Sequence, residues 1–139
     1  MESMLDLTDL QDEIENAEEP IIAEADTEQH LRIVSVRTGE AGEKNCPYFA
    51  PTFEVMDAPL IKEFNQFMWV PDKDKLTPKQ YKRSLWEMQC FIKAFDVDIS
   101  SPIDYNDDLP GLTGWAILGV RDSNEYGEQN TIKKYVTPK

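Results

Sequence analysis

A chain of 139 residues, 40% of them hydrophobic, can enclose one modest core. It contains no apolar run near the ~18–20 residues needed to cross a bilayer. Its formal charge of −13 is unevenly spread: residues 1–29 hold eleven acids and no Lys or Arg, whereas residues 30–139 hold sixteen acids and fourteen bases, a balance of −2. The whole chain therefore fails the usual charge test for a nucleic-acid binder, while the body alone leaves room for a local basic strip.

The first 24 residues form an acidic arm in which Leu5, Leu7, Leu10 and Ile14 recur among carboxylates. Two readings stay open: an acidic amphipathic helix that forms on a partner, or a solvated disordered tail, which the composition favours. The N-terminus lacks the basic start and apolar centre of a secretory signal, so a cytoplasmic protein is expected. Residues 31–37 read as a first strand whose apolar parity changes between Ile33 and Val34, the mark of a bulge or of burial on both faces. A loop over 38–45 carries two glycines. Residues 48–56 read as a second strand with Phe49, Phe53 and Val55 on one face, and Pro51 predicts an edge or a bulge there. A third strand is expected over about 61–70.

Thr77 and Pro78 predict a helix start, as N-cap and first helical residue. Tyr81, Leu85, Met88, Ile92 and Phe95 then make one apolar stripe. Residues 96–110 read as an acidic connector. Residues 115–121 and 130–136 flank a polar turn as a terminal hairpin. Three strands, a helix and two strands is the element order of the OB-fold. The expectation is a mainly β, five-stranded OB-fold barrel over 25–139, with one α-helix between strands 3 and 4, behind an acidic arm over 1–24.

The hairpin 114–121 and 125–135, the strand Thr52-Phe53-Glu54-Val55 and the helix from Leu85 to Phe95 resemble a phage-encoded family of small proteins of the replication or recombination module. The resemblance spans roughly residues 28–137. It implies an OB-fold that binds single-stranded DNA in the cytoplasm of the infected bacterial host. The chain departs from bacterial single-strand binders in carrying its acidic segment at the N-terminus instead of the C-terminus.

Single-strand binding needs basic side chains for phosphates and aromatic faces for bases. In the third strand Lys62 precedes Phe67 and Trp69, which share one face, while Phe64, Met68 and Val70 share the other and make the better core. Trp69 is also readable as a cover on the core. Lys133, Lys134 and Tyr135 form the densest basic–aromatic cluster, with strict alternation placing Lys133 and Tyr135 outward. A Lys pair on an exposed strand is equally a guard against edge pairing. Lys44 in the first loop, and Arg121 and Tyr126 near the hairpin turn, lie where OB-folds flank their groove, and Tyr48 offers a further stacking face. Trp86 lies off the helical stripe and reads as packing.

Enzyme signatures are missing from the sequence. There is no phosphate-binding Gly loop ending in Lys-Ser or Lys-Thr, no nucleophile elbow and no calcium-loop spacing. Cys46, Cys90 and the single His30 lack zinc-ligand spacing, and reduced thiols are the default for the two cysteines, although a disulfide is open on paper. The expected function is non-catalytic binding of single-stranded DNA, with no cofactor and no membrane. The arm would compete with DNA for the groove or dock a phage or host replication or recombination protein. The alternative is an acidic OB-fold interaction module, or a DNA mimic, that does not bind DNA.

Overall fold

In the computed structural model, residues 3–125 and 127–138 are described. Six strands form one antiparallel sheet: β1 (Glu28–Ala41), β2 (Cys46–Val55), β3 (Phe64–Asn65), β4 (Met68–Trp69), β5 (Thr113–Ser123) and β6 (Gly127–Val136). The ladder runs β3-β2-β1-β5-β6, with β4 also on β2. The helix α2 (Pro78–Phe95) lies between β4 and β5, and a short α1 (Gln11–Glu15) follows a 3-10 turn at Thr8–Leu10.

In β1, Leu31 and Ile33 are buried, and the register with β2 then slips between Ile33 and Ser35. Val34 is the extra residue and points to solvent, the parity break that the sequence carries. Pro51 is not on an edge. It sits opposite Val36 beside that slip, on a strand paired on both sides, and its carbonyl accepts the Gln66 N–H at 3.1 Å.

The third strand is not continuous, which raises the count from five strands to six. β3 pairs Thr52 and Phe53, and β4 pairs Tyr48 and Phe49, with Gln66 and Phe67 between them. Phe64 and Met68 are buried as expected. Among the described residues no ladder joins this edge to β6. The Gln66 side chain bridges instead: its Oε1 accepts from the Ile132 N–H at 3.1 Å and from the Thr131 hydroxyl at 3.0 Å.

Helix α2 starts on a reciprocal cap. The Thr77 hydroxyl accepts the Gln80 N–H, and the Gln80 side chain accepts the Thr77 N–H. It ends at Asp96 in the left-handed conformation. The buried line runs through Ser84, Phe91, Ala94 and Phe95, rotated from the expected stripe, so that Leu85 is 44% exposed. Phe91 and Phe95 stack toward Phe49, Phe53 and Tyr135. Gly114 makes this approach possible, because a Cβ there would stand 2.6 Å from the Ala94 carbonyl oxygen.

The connector is only partly solvated. Its acids are exposed, but Leu109 is buried, and Ile33 exchanges backbone bonds with Gly111 and Leu112 at 2.8 and 2.9 Å. Residues 21–24, grouped with the arm by composition, are bonded to the body. Ile21 bridges Ile61 in parallel, and Ala23 is in the core. Both backbone groups of Ala23 bond to the buried Asn130 side chain, at 2.7 and 2.9 Å. Residues 3–20, including α1, bury nothing.

Candidate nucleic-acid interface

Alternation along β2 sends Phe49, Phe53 and Val55 inward and leaves Tyr48, Ala50 and Thr52 on the outer face. Across from them stand Gly39, Arg37 and Ser35 of β1, and Trp69 and Asn65 on the other side. Three aromatics meet on this face. Tyr48 and Phe67 have centroids 4.7 Å apart at 30°, and Phe67 and Trp69 meet edge-on at 4.8 Å. Phe67 is 43% exposed, a large apolar cost to the free protein, because the break between β3 and β4 turns it out of the sheet. Gly39 leaves room for the Tyr48 ring, whose hydroxyl would lie 2.7 Å from any Cβ there.

The aromatic patch borders a polar groove of about 610 Å³. Arg37 and Arg121 line it together with Thr52, Gln66, Phe67 and Thr131, and Glu63 is its one acid. Among the described residues neither arginine is in an ion pair; the two pairs present are Arg32–Glu54 and Lys133–Asp26. The groove thus offers two guanidiniums for phosphate, amide and hydroxyl groups for base edges, and rings for stacking. Arg37 was missed by the sequence reading. Its only signal was its place on the strand face opposite Ile33 once the Val34 bulge is allowed for.

The expected site residues divide. Tyr48, Phe67, Trp69 and Arg121 come together here. Lys44 is exposed in the connection between β1 and β2, and Gly42 of that connection packs beside Trp69. Lys62 is exposed in a small cleft with Glu128 that adjoins this groove and shares Glu63 and Gln129 with it. Tyr126 lies outside the described residues.

Tyr135 is a correction: it is a core residue, 8% exposed, and cannot stack on a base. The pairing of β5 with β6 slips between Ile117 and Leu118, which face Lys134 and Ile132, so Lys133 is an extra residue. The bulge reverses the alternation and turns Tyr135 inward against Phe91 and Phe95, where its hydroxyl reaches Met68 Sδ at 3.4 Å. Burial raises the phenol well above its ordinary range.

Lys133 and Lys134 stay exposed but line a different groove, about 640 Å³, between α2 and β6. Lys93, Glu87, Cys90 and Trp86 form its helical wall. Trp86 is 64% exposed, so the packing role read for it does not hold. Burial raises the Glu87 carboxyl above its ordinary range, against the smaller opposite pull of Arg83. Both cysteines are free thiols. Among the described residues no three His, Cys, Asp or Glu gather as metal ligands, and no helix is long and apolar enough to cross a membrane.

No family model, no curated protein and no solved structure matches this chain.

Proposed function

We propose that this chain binds single-stranded DNA without catalysis, on the outer face of an OB-type barrel. In this reading β3 and β4 are one interrupted OB strand, and the Gln66 bridge replaces the ladder that would close the barrel. The observation that carries the proposal is the Tyr48–Phe67–Trp69 patch, its Phe67 ring exposed and the other two half-buried, running into a groove lined by Arg37 and Arg121. Rings and guanidiniums side by side suit a base-and-phosphate polymer of no fixed sequence. The resemblance noted above favours DNA of phage replication or recombination, in the cytoplasm of the infected host.

A fluorescence titration with oligo-dT at rising salt tests it. Binding that weakens with salt at a slope of roughly two to four released ions is expected from so few cations. No binding at low salt would refute the reading. A second reading rests on the exposed acidic arm: an interaction module or DNA mimic for a basic protein, with no affinity for DNA. That reading predicts the flat titration.

A further inference from the structure

Two unpartnered surfaces of this chain complement each other. The arm exposes Leu7, Leu10 and Ile14 on a turn and helix over Thr8–Leu10 and Gln11–Glu15, flanked by Asp9, Asp12, Glu13 and Glu15. The groove between α2 and β6 presents the exposed Trp86 indole and the half-buried Ile132, rimmed by Lys93 and Lys134 and by Lys133, which is ion-paired with Asp26. We propose that residues 5–15 dock in this groove of their own chain, apolar side against Trp86 and Ile132 and carboxylates toward Lys93 and Lys134.

The attachment of the arm permits it. Ala23 is bonded to Asn130 of β6, and Ile132 and Lys134 follow on the same strand. The arm leaves the body at Ile21, two residues before that contact, where its backbone bonds to Leu60 and Lys62. The linker over 16–20 spans up to about 17 Å, at ~3.3–3.6 Å per residue. A tether this short holds the helix at an effective concentration on the order of millimolar, so modest contacts suffice. Apolar anchors at Leu7, Leu10 and Ile14 fall at the three- and four-residue spacing by which a helix occupies a groove. Among the described residues Glu87 is the one carboxylate in the groove wall, and its raised proton affinity reduces its opposition to an acidic occupant at mildly acidic pH.

Cys90 reports on occupancy, since it lines the groove, while Cys46 is buried in the body. The experiment compares the rate at which a bulky thiol reagent modifies Cys90 in the full chain and in the full chain carrying Leu7→Asp, Leu10→Asp and Ile14→Asp. These three side chains are exposed and touch no core, so the variant keeps the body. The variant is expected to react about five-fold faster at low salt, as a vacated groove requires. The difference should shrink with salt and be independent of protein concentration. Equal rates at low salt overturn the proposal. Protection that grows with protein concentration also overturns it, by assigning the helix to a second copy. Equal rates together with protection by oligo-dT overturn it in favour of a nucleic-acid track. The measurement needs no DNA affinity, so its failure and that of the DNA reading are separable.

Discussion

The two facing edges of the sheet carry the same kinds of residue and use them oppositely. On the β3–β4 edge, a broken strand pushes Phe67 outward beside Tyr48 and Trp69. On the β6 edge, a single extra residue at Lys133 pulls Tyr135 inward and leaves Lys133 and Lys134 outside. Both irregularities are local departures from a period of two, and each decides whether a ring is core or surface. Aromatic content near a lysine therefore says little about stacking until the register is known.

Substitutions at the two edges should divide between folding and binding. Tyr135→Ala removes a buried ring from between Phe91 and Phe95 and should cost about 3–5 kcal/mol of stability, read by denaturant unfolding. A small loss there, with lost DNA affinity, would reverse the assignment of the β6 edge. Phe67→Ala should do the opposite, lowering oligo-dT affinity by roughly 1–3 kcal/mol while the melting temperature changes little. The next effect tests the border of the aromatic patch. Replacing Arg37 and Arg121 together by Ala should reduce the salt slope by about one to two ions, whereas Lys133→Ala with Lys134→Ala should leave it nearly unchanged. If the lysine pair carries the slope, the electrostatic track runs along β6 instead.

The smallest effect concerns Glu87, beside the β6 edge. Its folded-state pKa is raised, so the native state holds the proton more tightly than the unfolded chain, and stability falls as pH rises through and above the ordinary carboxylate range. Glu87→Gln should therefore raise the melting temperature slightly at pH 7. The gain should vanish below about pH 4, where both states are protonated. A gain that persists there would place its cause in packing and not in charge.

Much of the fold was legible where the signal is local. Thr77 and Pro78 carry their helix start in two residues, and the Val34 bulge shows in the parity of one strand. Alternation and apolar content set Phe64, Met68 and Val70 inward and Phe67 and Trp69 outward; Phe64 and Met68 are buried, Phe67 is exposed, and Val70 and Trp69 are half-buried. What escaped depends on partners. The Lys133 bulge exists only relative to β5, because one strand's alternation cannot reveal an extra residue opposite its neighbour. The helical stripe was misplaced because Tyr81 and Leu85 fit the spacing as well as Phe91, and only the cross-sheet contacts of Phe91 choose between them. Arg37 became a groove residue through β5 and β6, which are remote in sequence. Asn130 reads from sequence only as the start of the last strand, yet its side chain holds the segment before β1.

That last contact joins residues 107 positions apart in a chain of 139. The pairing of residues 28–32 with 113–117 imposes a similar wait on β1. During synthesis, the first strand therefore emerges long before either lasting partner on that side. β1 and β2 can form a hairpin early, but the inner face of that hairpin stays uncovered until the terminal strands leave the ribosome. Such non-local closure predicts slow, cooperative folding for a chain of this size. It also predicts that truncations from the C-terminal end aggregate, because they leave the Leu31, Ile33 and Phe53 side chains exposed.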